Sequence, residues 1–335
     1  MISNSKNIDI SILVPCYNSS STIERCLDSI IDQEYNLKKI KIICINDGST
    51  DNTLQILQKY KKKYDSIFEI YSQENEGLAK TRQNLLSHVT TTFFMFLDSD
   101  DFFLPKAFKR IVNASKNGKF IVTVSKSTRY FENKKKHRIW WLNSHIHKNM
   151  SGRSYLKLNQ PFLWNILINT DYFRKTNIKW TPRLDFMEDN VCGTLLFANI
   201  NRKKIGVCKY KTYAYCYNEN SLSNSKTSKL KNISTALKQT ECFLNDIKNI
   251  NENKKDIDFF IKNFIYVVAM YFVCVYFIFP KFYKYEKPEK ELWEDTKQKF
   301  MQILKEHNLT ITKPKGYWRI ISYYLCVKNK FKKVN

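Results

Sequence analysis

Glycine is scarce in this chain, with 7 in 335 residues. Neither a GxxxxGKS nor a GxGxxG string occurs. A phosphate-cradling P-loop and a classical dinucleotide fold are therefore excluded at the outset. The nine cysteines form no CxxC pair, so the usual zinc and dithiol frames are absent too. Cys16 and Cys44 sit in apolar strand-like runs and Cys26 on an apolar helical face, which reads as buried, reduced thiols. The start, MISNSKNIDISILV, lacks the basic-then-apolar pattern of a signal peptide. Acid is missing from residues 307–335, which hold seven Lys and Arg. Residues 116–153 carry ten basic residues against the single acid Glu132.

What is present is positive charge and a core. Lys and Arg number 56 against 31 Asp and Glu, a net charge of +25. Such an excess suits an anionic partner, nucleic acid or a membrane surface, though a lysine-rich proteome gives the same composition. Hydrophobic residues make up 43% of the chain, enough for a sizeable interior.

The first hundred residues alternate strand and helix signals. Ile10–Val14 is an apolar run ended by Pro15, followed by N-cap candidates Ser19–Ser21 and Thr22. Ile23, Cys26, Leu27 and Ile30 then recur at helical spacing. Strands are predicted at 40–45, 68–71 and 93–97, and helices at 51–64, with Leu54, Leu57 and Tyr64 inward, and at 78–88. That alternation predicts an α/β fold with a mostly parallel sheet and covering helices. Residues 116–225 read as mixed, with a strand at 120–124, and 226–335 as mainly helical. The apolar run 264–280 is shorter than the roughly 20 residues that span a bilayer, and reads as a buried or interface-lying helix.

Ligands of such sheets bind beyond the carboxyl ends of the strands. Asp47 closes the second strand, and Asp98, Asp100 and Asp101 close the fourth. Turn chemistry accounts for Asp47. It accounts poorly for three aspartates in four residues, because like charges repel unless a cation joins them. The cluster DSDD (98–101) resembles the DxD element of glycosyltransferases, which implies carboxylates that hold a divalent cation to neutralise the charge a departing sugar diphosphate builds on its β-phosphate. Asp100 is the expected direct ligand of Mg²⁺ or Mn²⁺, with Asp98 facing the metal waters and the ribose and Asp101 as support.

The acid cluster keeps specific company. In order stand VPCYN (14–18), NDGSTD (46–51), NEGLAKTRQN (75–84), FLDSDD (96–101) and MEDN (187–190). This series resembles family 2 glycosyltransferases of the GT-A fold over residues 9–225. The resemblance implies a UDP-sugar donor held by Pro15, Tyr17, Asp47, Arg82 and Asp98, with Asp47 reading the uracil ring. It implies that Asp189 is the general base, supported by Glu188. An inverting transfer needs one carboxylate opposite the leaving group to take the acceptor's proton. A carboxylate pair that simply begins a helix is the plainer alternative.

Residues 162–180, the segment RLDFMEDN (183–190) and the tail KGYWRIISYYLCVKNKFKK (315–333) look like the membrane-associated glycolipid synthases of mycoplasmas. That likeness implies transfer of glucose or galactose to diacylglycerol, and onward to the glycolipid acceptor so formed. Capsule, lipooligosaccharide or lipid-linked oligosaccharide synthesis is the alternative. The tail interleaves Trp318, Lys328, Lys330, Lys332 and Lys333 with tyrosines, which suits an anionic headgroup zone or a packed amphipathic helix. Trp140 and Trp141, behind Lys134–Arg138, are a second candidate contact. No RNP, KH or zinc signature supports nucleic acid. The expected organisation is a donor half (1–115), an acceptor half with the base (116–225) and a helical, basic, membrane-associating region (226–335). The expected place is the cytoplasmic face of the membrane, peripherally bound.

Overall fold

A computed structural model describes residues 8–130, 146–158, 161–180, 186–216, 226–273 and 290–311. Its sheet has eight strands in the order β3-β2-β1-β4-β7-β6-β8-β5. These are β1 (Ile10–Cys16), β2 (Ile40–Asp47), β3 (Phe68–Gln73), β4 (Phe93–Phe96), β5 (Phe102–Phe103), β6 (Val122–Tyr130), β7 (Ile166–Asn169) and β8 (Gly206–Cys216). Strands β1 to β4 pair in parallel, as the alternation predicts. The next strand, β7, is antiparallel to both β4 and β6, and β8 then runs parallel to β6. The sheet therefore continues unbroken across position 115, so the donor and acceptor halves share one scaffold.

The side chains of β1 and β2 alternate between two hydrophobic layers, as the period of two requires. Ile12, Val14, Ile42 and Cys44 enter one layer, beneath α1 (Ile23–Ile31), α2 (Thr53–Lys63) and α4 (Ala107–Ala114). Leu13, Ile43 and Ile45 enter the other, with α3 (Leu78–Ser87), α5 (Gly152–Leu158), α6 (Thr170–Lys175) and α7 (Glu188–Ile200). The predicted face of α1, Ile23, Cys26, Leu27 and Ile30, is buried. On α2 the inward side chains are Thr53 and Leu57, with Leu54 and Tyr64 only partly covered. Thr22 occupies the N-cap of α1, but its hydroxyl donates to the Ser19 carbonyl instead of capping. Pro15 does not end β1. The strand runs on to Cys16, and Pro15 pairs with Ile45 of β2. The β4 ladder has already stopped at Leu13–Phe96, which leaves room for a residue without an N–H.

Three further helices, α8 (Lys226–Asp246), α9 (Lys254–Val273) and α10 (Lys290–Glu306), complete the second layer. Phe264, Ile265, Tyr266, Val268, Ala269 and Phe272 of α9 are all buried, so the part of the 264–280 run within the described residues is a core helix. No helix among the described residues is long and apolar enough to cross a membrane. Trp140, Trp141, Trp318, Lys328, Lys330, Lys332 and Lys333 lie outside the described residues.

One carboxylate fastens α9 to α5 and α7. Asp256, fully buried in the first turn of α9, accepts from Arg153 of α5, Asn201 at the end of α7, and Arg202. Asn253 reaches it from the helix start. Burial pushes its carboxyl up, but the hydrogen bonds and the Arg153 charge outweigh that and hold it at about 2, against an ordinary 3.8. A depressed carboxylate contributes stability above its ordinary value and loses it as pH falls through the depressed one. The Asp256 contribution should therefore be complete above about pH 4 and drain away toward about pH 2. Replacing Asp256 with Ala should cost about 3 kcal/mol at neutral pH, since it strands buried donors. Chemical denaturation of both proteins at pH 7 and pH 3 checks this: the gap between them should shrink at the lower pH.

Candidate active site

The strand β4 ends in the acidic loop, and its three aspartates have different surroundings. Asp101 is 1% exposed and accepts from the Tyr213 hydroxyl and the Cys216 N–H, both at 2.7 Å. It bolts β8 to the end of β4. Asp101, the supporting member of the expected metal site, thus spends one hydrogen bond of each carboxylate oxygen on β8. Asp98 reaches Arg82 at 2.8 Å. Asp100 has no ion pair among the described residues, and burial and the Asp98 charge push its carboxyl up to about 6. Arg25, on α1, donates to the Asp100 carbonyl at 3.0 Å and so fixes the loop from outside.

Asp98 and Asp100 fit a divalent cation. Both offer hard oxygen donors, and their mutual repulsion is the kind a cation relieves. Among the described residues no cluster of three or more ligating side chains exists. Two carboxylates alone suit Mg²⁺ or Mn²⁺ that completes its shell with water and substrate phosphates.

Asp47, at the end of β2, is 4% exposed. Its Oδ1 accepts from Gln73 Nε2 and the Glu76 N–H, and its Oδ2 from the Gly77 N–H. A carboxylate has about four lone-pair sites, so about one remains for a ligand. The turn that brings this about needs Gly48, whose φ of 69° is left-handed and where a Cβ would come within 2.8 Å of the Asn75 nitrogen. Tyr17 is exposed at the end of β1, and Pro15 is buried within that strand. The Tyr17 carbonyl accepts from Ser19, whose hydroxyl lies 2.7 Å from that of Ser99 in the acidic loop.

Arg82, expected to face the nucleotide, is turned inward and is 2% exposed. It rests over the Phe96 ring and pairs with Asp98 of the acidic loop and Glu188 of α7. Asp189 stands 3.9 Å away. Burial would lower the Arg82 pKa, but these carboxylates outweigh it and keep the guanidinium charged. Glu188 is pushed up to about 8 by burial and the Asp189 charge, with Arg82 opposing. Burial also raises Asp189, with Arg82 opposing and the Leu163 N–H donating to its carboxylate. Both acids occupy the first turn of α7, entered through Met187 in the left-handed region. The plain helix-start reading therefore holds, and it fixes both carboxylates at the head of a helix.

The structure brings Arg82, Asp98, Asp100, Glu188 and Asp189 into one cluster. Sequence reading missed Arg25, Ser99, Tyr213 and an aromatic stack beside them, in which Trp164 lies 5.0 Å from both Phe162 and Tyr213. The signal for Phe162 and Trp164 is their i, i+2 spacing around Leu163, whose N–H binds Asp189. Arg25 carries no local signal.

The two neighbouring aspartates should separate cleanly on mutation. Asp100→Ala should abolish activity with the thermal midpoint nearly unchanged, because a rim carboxylate is not core. Asp101→Ala should instead lower stability by about 1–3 kcal/mol, the cost of stranding its buried donors. Thermal melts of the two variants check the assignment.

Residues 11–181 match the model of glycosyl transferase family 2. A processive diacylglycerol beta-glycosyltransferase of Mycoplasma genitalium is 37% identical over 192 residues, 52% of this chain and 55% of that protein. Its namesake from Mycoplasma pneumoniae is 30% identical over 197 residues, covering 54% and 56%. The chain spans about half the length of these curated relatives. Crystalline S. aureus TarS 1-349, in complex with UDP-GlcNAc, superposes with a TM-score of 0.72 over 97% of this chain and 90% of that one. At 18% identity this shows the fold alone: a GT-A-like α/β sheet with a helical C-terminal region. The match over half the chain makes this protein a member of glycosyl transferase family 2.

Proposed function

We propose that this glycosyltransferase moves glucose or galactose from a UDP-sugar to diacylglycerol, and onward to glycosyl-diacylglycerol, with inversion at C1. The observation that carries the reading is the 37% identity to a processive diacylglycerol beta-glycosyltransferase. The site supports it, because Arg82 joins a donor-side carboxylate to a pair suited to the acceptor side.

In this reading Tyr17 lies against the uracil, and the open lone pair of Asp47 accepts from the ring N–H. Asp98 and Asp100 would hold Mg²⁺ or Mn²⁺, which would supply positive charge to the leaving UDP. Asp189 takes the proton of the acceptor hydroxyl as that oxygen bonds to C1 and the bond from C1 to the β-phosphate oxygen breaks. Glu188, held by Arg82, keeps the first turn of α7 aimed. A single displacement turns the α-linked donor into a β-linked product. The acid-free tail with Trp318, Lys328, Lys330, Lys332 and Lys333 seats the enzyme on the anionic cytoplasmic face of the membrane, each cation adding about 1 kcal/mol.

Asp189→Asn keeps shape and removes proton acceptance. It should lower kcat by at least about 10²-fold with little change in UDP affinity, and Glu188→Gln should cost less. UDP release from UDP-glucose should rise when vesicles contain diacylglycerol, and EDTA should abolish it until Mg²⁺ or Mn²⁺ is returned. Release indifferent to diacylglycerol would overturn the acceptor. Full activity in EDTA would overturn the cation.

A further inference from the structure

Packing gathers positive charge that the sequence keeps in two separate stretches. No Asp or Glu occurs in residues 102–131 or in residues 190–218. The first stretch supplies α4 and β6, and the second supplies β8. In the fold β8 pairs with β6, and α4 packs against β8. The two acid-free stretches thus meet on one part of the surface, toward the end of the sheet opposite β3.

A bulge in β8 marks the place. Ser125 of β6 faces Cys208, and the next residue, Lys126, already faces Lys211. Lys209 and Tyr210 are left without a partner on β6, and the extra residues bend the strand outward. Lys209, Tyr210 and Lys211 are all exposed, three in succession where a regular strand would alternate. The Tyr210 ring is 50% exposed, with the Arg110 guanidinium 5.0 Å and the Lys209 ammonium 5.4 Å from its centroid. Arg110 also donates to the Lys211 carbonyl, and Lys211 to the Thr128 hydroxyl. Lys126 and Lys211 stand opposite each other across the ladder, a like-charge pair that repels. Lys106, at the head of α4, is neutralised by Glu34. Arg110, Lys126, Lys209 and Lys211 have no ion pair among the described residues.

Four unneutralised cations around a projecting tyrosine complement a surface that is anionic outside and apolar beneath. We infer that the β8 bulge, with Arg110 and Lys126, docks on the anionic headgroups of a lipid bilayer, as a contact separate from the C-terminal tail. The choice of a bilayer rests on the proposed lipid glycosyltransferase activity. A tyrosine flanked by cations suits the headgroup zone, where its ring and its hydroxyl meet different surroundings. Single-stranded nucleic acid needs open ring faces for its bases, and here two cations lie over the one projecting ring. The bulge also stands close to the acidic loop. From Tyr210 the strand runs to Tyr213 and Cys216, which hold Asp101. Three residues of strand span at most about 10 Å. A bilayer seated on the bulge therefore lies beside the loop to which a lipid acceptor must come.

The test is co-sedimentation of the full chain, without UDP-sugar or acceptor, with vesicles of phosphatidylcholine alone or mixed with phosphatidylglycerol. The double variant Lys209→Gln, Lys211→Gln should bind the anionic vesicles about 25-fold more weakly at low salt, roughly fivefold for each cation near the leaflet. Lys209→Arg with Lys211→Arg keeps the charge and should bind as the parent does. Lys62→Gln with Lys63→Gln removes the same charge from α2, toward the other end of the sheet, and should bind almost as the parent does. Thermal melts should match throughout, since exposed charges contribute little to folding. Tyr210→Ser leaves every charge in place and is the second variant; its binding should also weaken, and the loss should persist at physiological salt. Parent-like binding by the glutamine pair would overturn the inference. Equal losses from the β8 and α2 pairs would make binding a matter of net charge and overturn it too. A β8 pair that loses affinity for single-stranded RNA and not for vesicles would overturn it in favour of nucleic acid. A parent that binds anionic vesicles through the bulge yet transfers no sugar to diacylglycerol would support the surface and sink the proposed activity.

Discussion

A guanidinium buried among carboxylates is the interaction on which this site depends. Arg82 comes from α3, Asp98 from the end of β4, and Glu188 and Asp189 from the start of α7. Neither the cation nor the anions would be tolerable alone in that interior, and removing one partner of such a pair costs about 3–5 kcal/mol. Their mutual neutralisation sets the separation between the acidic loop after β4 and the start of α7. Three carboxylates around one guanidinium also explain why burial raises Glu188 and Asp189 instead of leaving both strongly acidic. An aspartate held in that environment binds a proton more readily than a solvated one does.

The same chemistry serves different ends elsewhere in the chain. Asp101 and Asp256 are almost fully covered, and each is satisfied by donors from distant elements. Asp101 joins β8 to β4, and Asp256 joins α9 to α5 and α7. Asp51 joins the loops after β1 and β2: the Ser20 N–H and Thr53 hold its carboxyl down at about 2 against burial. Asp100 stands apart because no ion pair or donor side chain among the described residues claims its carboxylate. Position along the chain does not separate these roles.

That contrast explains what could be read from the sequence. The buried face of α1 and the parallel start of the sheet follow from local periodicity, which side-chain direction enforces. The acids were legible as a rim because strand ends are legible. The role of Asp101 was not, since it depends on Tyr213 and Cys216, more than a hundred positions away. The inward turn of Arg82 depends on Glu188 at a separation of 106 residues. No local pattern encodes such pairings. Pro15 misled for a related reason: its tolerance inside β1 is decided by where β4 stops pairing. The apolar run of α9 reads alike as an interfacial or a buried helix until α7, α8 and α10 are placed around it.

Arg82 holds carboxylates of the acidic loop and of α7, a position from which it would act on both through them and not as a ligand of the nucleotide. The direct measurement is UDP affinity by calorimetry together with kcat at saturating UDP-sugar, for Arg82→Lys and Arg82→Met. A lysine keeps the charge but cannot span two carboxylates as the planar fork does. Both variants should lose UDP affinity, through a displaced Asp98, and also lose turnover at saturating donor by about 10²-fold, through a displaced Asp189. Weakened UDP binding with normal turnover at saturation would make Arg82 a plain nucleotide ligand and contradict the account.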